Sequence, residues 1–281
     1  MPNTSRTPEG SLPSPGRSLA QAVITALILL GLIVVFNLLG ETAFFFLVVA
    51  VVTTAQFELY DGLTQTGRAP ATWFGLVAGV ALMATAFLQR PGWLIAVLGI
   101  AVYGSLLISL RKDRGRTPAS DAAWTFLGVG WIAGGGAAAA AMLKLSEDGA
   151  LVLTAFILIT ALDDIGGYFA GTRFGRHKMA PSISPAKSWE GLAGGIVASL
   201  AGGALFGVLL HDLTVAHGLG LALIASVLAP IGDLTESLTK REIGIKDSGR
   251  LLPGHGGLLD RLDAIVFCAP VAYLYLRLVV F

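Results

Sequence analysis

Apolar positions come in long runs along this chain, separated by short polar stretches. A membrane-spanning helix needs about 20 predominantly apolar residues. By that measure about nine spans are predicted, in Leu19–Leu39, Thr42–Phe57, Thr72–Leu88, Gly92–Leu110, Ala122–Leu143, Gly149–Ala170, Gly191–Leu210, Val215–Ile231 and Leu262–Phe281. The second is short, and the sixth and eighth have aspartates at their C-terminal ends. The expected architecture is all-α: a polytopic integral membrane bundle of about nine transmembrane helices. Ahead of the first span, "MPNTSRTPEGSLPSPGRS" is rich in Pro, Ser and Gly, which predicts a disordered cytoplasmic tail over residues 1–18. The first apolar stretch is longer than a signal-peptide core and lacks a small-residue cleavage site just after it, so a retained anchor is expected. Residues 19–145 are read as N-terminal transmembrane helices, and 146–281 as a C-terminal catalytic region, because the polar motifs lie there.

Composition supports the membrane reading. Charged residues make up 13% of the chain and hydrophobic ones 54%, with a mean hydropathy of +0.76, whereas soluble domains carry about 25% charged residues. The net charge of +1 gives no reason to expect a nucleic-acid partner. Cys268 is the lone cysteine and sits in an apolar run, so neither an intramolecular disulfide nor a zinc site can be built on it.

Lysine and arginine set the orientation, because they are retained on the cytoplasmic side. With the N-terminus in the cytoplasm, every Lys and Arg except Arg90, Lys144 and Arg277 falls in a cytoplasmic segment. That bias favours an odd number of spans. Small residues also recur at four-residue spacing. Gly191, Gly195, Ser199, Gly203 and Gly207 form one stripe, and Gly75 with Gly79 and Gly130 with Gly134 form shorter ones. In lipid such stripes let helices approach closely. Packing within the chain is the simpler reading, and a homodimer seam is the other.

The chemistry concentrates in two segments on the same predicted face: Leu162 to Gly191, and Gly232 to Ala264. In the second, Asp233, Ser237 and Lys240 fall near one helical face with Glu236 beside them, and Asp260 and Asp263 share a face at the start of the last span. Ionised groups at a membrane edge are costly and usually serve a pathway, a metal or a ligand. Carboxylates arriving from two helices can hold a hard cation such as Mg²⁺. Between them, "PGHGG" offers accessible backbone N–H groups just before a helix N-terminus, which suits a phosphate. Lys240, Arg241, Lys246, Arg250 and Arg261 supply countercharge. In the first segment, Asp163 and Asp164 end a span, and Ser182, Ser184, Lys187 and Glu190 can contact a nucleotide or phosphate; capping of helix ends is the alternative for either aspartate. His255 fits a phosphate contact or loop ordering better than a general base, since a phosphate nucleophile is already anionic. His177, His211 and His217 show no metal-ligand pattern. Arg111 to Arg116 read most simply as a headgroup anchor.

These residues resemble the signature of the phosphatidate cytidylyltransferases, or CDP-diacylglycerol synthases. The resemblance runs through Ser237, Lys240, Arg241, Lys246, Asp247, Gly249, Leu252, Pro253, His255, Gly256, Gly257, Asp260, Arg261 and Asp263, with Thr239 where the family usually has an apolar residue. A second motif of the family is matched by Asp164, Gly166, Tyr168, Ile183, Ser184, Pro185, Lys187, Ser188, Glu190 and Gly191. The resemblance implies a multi-pass inner-membrane enzyme that condenses CTP with phosphatidic acid at the cytoplasmic face, using Mg²⁺, and it admits K⁺ as a companion ion. It implies that Asp233 and Asp260 hold the metal. It places Asp233, Lys240, Arg241, Lys246, Asp247, His255, Asp260, Arg261 and Asp263 in the catalytic set, and Asp164, Ser184, Lys187, Glu190, Gly256 and Gly257 in nucleotide and cofactor binding. Two other readings are weighed. A CTP-dependent polyprenol kinase would share CTP and metal but need a base for a hydroxyl. A transporter would place charges at mid-span and show repeated halves.

Overall fold

The computed structural model describes residues 15–110, 118–181, 184–245, 248–249 and 257–281; for 15–23, 25 and 26 the backbone alone is described. Its helices are α1 (Pro15–Leu38), α2 (Glu41–Gln65), α3 (Thr72–Phe87), α4 (Pro91–Leu110), α5 (Pro118–Leu127), α6 (Gly134–Met142), α7 (Gly149–Phe174), α8 (Trp189–Leu209), α9 (Val215–Ile243) and α10 (Leu259–Tyr275). A π-helical turn, Gly128–Ala133, joins α5 to α6, and a second, Leu276–Val280, ends α10. Each predicted span therefore has its rod. Among the described residues seven helices are long and apolar enough to cross a membrane, with Pro118–Met142 counted as one, and Leu27–Leu39 and Thr72–Phe87 are shorter apolar helices.

Three features depart from the hydropathy pattern. Helix α2 runs eight residues past Phe57, and α9 runs past Ile231 to Ile243, carrying Asp233, Glu236 and Lys240 as helical residues. An apolar run ends where lipid ends, but helical hydrogen bonding does not. The third departure is a small antiparallel hairpin, β1 (Lys178–Ala180) with β2 (Ser184–Ser188), between α7 and α8. The bundle is otherwise helical among the described residues. The predicted tail up to residue 14 and the segment Arg111 to Arg116 lie outside them.

Helix ends are set by local chemistry. Ser188 caps α8 by accepting from the Gly191 N–H at 3.1 Å. Thr214 and His217 form a reciprocal capping box at the start of α9, so His217 has a structural task. Gly244 ends α9 in a left-handed conformation (φ 87°) that favours glycine. Arg68, from the turn after α2, donates to the Glu242 and Ile243 carbonyls at 3.1 and 3.4 Å and so caps α9 from the other half of the chain.

Small residues decide which helices meet. The α8 stripe is filled from within the chain: Gly191 and Gly195 face α7, Ser199 hydrogen-bonds Ser226 of α9 at 2.8 Å, and Gly203 lies backbone to backbone against Gly218 of α9. Gly135 of α6 meets the backbone of Val266, which brings α10 against the N-terminal helices as well as α9. Tyr60 is fully buried where Gly75 and Gly128 make room for its ring, and its hydroxyl donates to the Thr125 carbonyl at 2.6 Å. Because a Cβ on Gly203 would overlap the Gly218 backbone, Gly203→Val is expected to destabilise the protein by about 1–3 kcal/mol, the usual cost of overpacking. Thermal unfolding in detergent reads this. An unchanged midpoint would mean that α8 and α9 do not touch there.

Candidate active site

The two polar segments meet at one end of the bundle. Helices α9 and α10 are antiparallel neighbours there, and acidic residues three apart on each come into facing pairs. Asp263 lies within electrostatic reach of Asp233, and Glu236 and Asp260 are close enough to share the Ser248 hydroxyl and the Lys240 ammonium. Stepping one turn along α9 thus matches stepping one turn back along α10. Gly232 makes this approach close: a Cβ there would be 3.0 Å from the Asp263 carbonyl oxygen and 2.8 Å from Phe267 Cβ.

Lysines balance this charge. Lys187, from β2, forms an ion pair with Asp233 and also donates to the Pro230 carbonyl at 3.4 Å. Lys240 bridges the second pair, 2.8 Å from Glu236 and 2.9 Å from Asp260. The Ser248 hydroxyl does the same from the α9–α10 connection, 2.9 Å from Glu236 and 2.8 Å from Asp260. Asp260 also accepts from the Gly257 N–H at 2.8 Å, which satisfies a free donor just before α10.

Helix α7 adds two more acids. Asp163 is buried, and Gly195 of α8 leaves space for it: a Cβ at 195 would sit 2.9 Å from its carboxylate. Asp164 is exposed. Both lie within electrostatic reach of Asp233 and Lys187, and Asp164 also of Arg261. Arg241 and Arg261 are exposed at the same end. Ser184 begins β2, paired with Ala180. Glu190 has a different setting from the rest: it accepts from the Arg176 and His177 backbone N–H groups and lies 2.6 Å from His177 Nδ1, fastening the hairpin to α8. Lys246, Asp247, Arg250, Pro253, His255 and Gly256 lie outside the described residues.

Asp233 and Asp260 are expected from the sequence to hold a cation together. They do lie at the same end of the bundle, but each faces another acid: Asp233 faces Asp263, and Asp260 faces Glu236. Among the described residues, no group of three or more His, Cys, Asp or Glu side chains forms a ready metal cage. Lys240 stands between Glu236 and Asp260, and Lys187 pairs with Asp233.

Glu58 of α2 was not expected here. It is 3% exposed, although it lies in a span far from the motifs in sequence. Its Oε2 accepts from the Leu259 N–H at 2.9 Å, at the first residue of α10. Gly249 and Gly257, both in the α9–α10 connection, pack directly on its carboxylate. Among the described residues its buried Oε1 has no hydrogen-bond partner. The only sequence signal is an acid directly after the predicted span Thr42–Phe57, which alone does not say what it meets.

The profile of the cytidylyltransferase family matches residues 20–279. The chain is similar to the phosphatidate cytidylyltransferase of Brucella suis biovar 1 (strain 1330), 37% identical over 237 residues that cover 76% of this chain and 86% of that protein. It is also similar to the phosphatidate cytidylyltransferase of Mycobacterium leprae (strain TN), 44% identical over 139 residues, 50% of this chain and 45% of that protein. The chain thus spans about half the length of the mycobacterial relatives it matches. Because the family profile extends from the first apolar helix to the last, and because its two motif segments converge on one carboxylate-and-lysine cluster, this chain belongs to the cytidylyltransferase family.

Proposed function

We propose that this protein transfers a cytidylyl group from CTP to phosphatidic acid, giving CDP-diacylglycerol and pyrophosphate, at the cytoplasmic face of the inner membrane. The observation that carries this reading is the meeting of Lys187 with Asp233, and of Lys240 with Asp260, where the apolar helices end. A triphosphate from water and a phosphate on a lipid can come together only at such an edge. The names of the relatives in Brucella suis and Mycobacterium leprae point the same way.

In this reaction an oxygen of the lipid phosphate attacks the α-phosphorus of CTP. The bond from that phosphorus to the bridging oxygen breaks, and pyrophosphate leaves. The nucleophile is anionic already, so the chain need not remove a proton. Its task is positioning and charge stabilisation. Lys187 and Lys240 shield the carboxylates in the free protein and turn to the phosphates when CTP binds. Arg241 and Arg261 neutralise the remaining phosphate charge, and Ser184 and Asp164 border the nucleotide.

Facing carboxylates this close repel unless a proton or a cation separates them. The donor set therefore fits a hard divalent ion with oxygen ligands. Asp233 and Asp260 would hold Mg²⁺, with Asp263 and Glu236 beside them. When bound, that ion would offset charge on the triphosphate and on the departing pyrophosphate.

The test is an assay of purified protein in detergent with phosphatidic acid and CTP labelled at either the α or the γ position. The α label is expected in the lipid and the γ label in pyrophosphate. Chelation should stop turnover, and added Mg²⁺ should restore it. Recovery of the γ label in a lipid would overturn the reading.

A further inference from the structure

At the end of the bundle opposite the carboxylate cluster, a cavity of about 590 Å³ opens between α3, α4, α6 and α10. Asp260 and Arg277 mark the two ends of the last helix, about 25 Å apart at 1.5 Å per residue, so this cavity is separate from the proposed active site. Its walls are small and apolar, among them Gly130, Gly134 and Ala138, with Tyr273 on α10. Gly130 and Gly134 have no neighbour closer than ordinary van der Waals contact, so their missing side chains leave open space rather than a helix contact. The volume lies within the range of about 300–1,000 Å³ typical of small-molecule sites.

The mouth of the cavity is cationic. Arg90 and Arg277 both line it, and no acidic residue does. Of the three basic residues that the charge pattern leaves for this face, Lys144 is paired with Glu41, and it lies 4.6 Å from the Phe87 ring. Arg90 and Arg277 have no acidic partner among the described residues. Arginines on the face that membrane proteins keep poor in Lys and Arg are not explained by retention of positive charge.

Both π-helical turns border this cavity: the first contributes Gly130 and the second Arg277. Such turns are rare and occur frequently at functional sites. Gln89, also in the lining, has the left-handed backbone (φ 55°) that leads into Arg90. An apolar trough with two uncompensated guanidinium groups at its mouth is complementary to one class of molecule in a bilayer. That class has a hydrocarbon chain for the trough and a phosphate for the arginines, which bind phosphate oxygens bidentately.

We propose that this cavity is a binding site for an anionic phospholipid of the leaflet opposite the carboxylate cluster. The phosphate lies between Arg90 and Arg277, and one acyl chain runs along Gly130, Gly134 and Ala138. The site is independent of the reaction proposed above, and its test reads lipid binding rather than turnover.

The experiment is native mass spectrometry of the full chain, delipidated in detergent and titrated separately with phosphatidylglycerol and phosphatidylcholine. The unmodified chain is expected to retain phosphatidylglycerol preferentially. The R90Q/R277Q double variant should retain it at least about tenfold less, as expected for loss of charge-assisted bonds to phosphate, with phosphatidylcholine adducts unchanged. Ala138→Leu keeps both arginines and narrows the trough. It should lower retention too, which covers the case in which the double variant does not fold. Equal retention of the two lipids by the unmodified chain would overturn the proposal. So would undiminished phosphatidylglycerol retention in a folded variant, or retention seen only in a dimeric species.

Discussion

Asp260→Asn is expected to lower turnover with CTP and phosphatidic acid by about 10²–10³-fold, the scale seen when one preorganised electrostatic contact to a transition state is removed. In the structure Asp260 meets Lys240, the Ser248 hydroxyl and backbone N–H, the Gly257 N–H and the neighbouring Glu236 carboxyl. An amide of the same shape can still accept on its oxygen, but it turns an N–H₂ toward one of the donors. It also removes the charge that holds Lys240. Steady-state kinetics should show the loss mainly in kcat, with circular dichroism and the melting midpoint showing a folded protein. A folded variant with wild-type turnover would remove Asp260 from the proposed metal-holding pair and leave it as a helix cap.

The second large effect concerns Glu58. Glu58→Ala leaves the Leu259 N–H buried without its acceptor. It also takes away the surface on which Gly249 and Gly257 rest. An unsatisfied buried donor costs about 1–3 kcal/mol, and the cavity adds to that cost. Stability in detergent should fall by about 2–4 kcal/mol on these grounds. Turnover should fall by about tenfold or more, because Asp260 is the next residue after Leu259 and a displaced first turn moves its carboxylate. Glu58→Gln keeps an oxygen for the Leu259 N–H and is expected to recover most of the stability. If Glu58→Ala melts and turns over like the unmodified chain, α2 does not hold the α9–α10 connection in place.

Helix existence was legible because lipid imposes a length. Every rod of the bundle overlaps an apolar run, from Leu19–Leu39 along α1 to Leu262–Phe281 along α10 and its π-helical turn. Helix limits were less legible. The last turns of α9 are polar, so hydropathy stops at Ile231 while the helix continues to Ile243. The hairpin at Lys178–Ala180 and Ser184–Ser188 was not visible either, since strands of three and five residues are too short to carry a clear alternation.

At the candidate site, the residue types and their spacing along each helix can be read from the chain alone. Three-residue spacing puts Asp233 with Glu236, and Asp260 with Asp263, on common faces, because helix geometry is local. The glycine stripe of α8 could likewise be seen as a contact surface before its partners were known. Which face meets which is not local. The pairing of Asp233 with Asp263 and of Glu236 with Asp260 depends on how far α9 and α10 slide past each other, and Gly232 and the turn capped by Arg68 set that slide. Glu58 entered the site for the same reason: about 200 residues separate it from Leu259 (201 by number), and only packing of α10 against the N-terminal helices brings them together. Local hydrogen bonding and the thickness of the bilayer thus determined the helices from sequence. The choice among helix neighbours, which rests on side-chain fit over long stretches of chain, was made only by the tertiary structure.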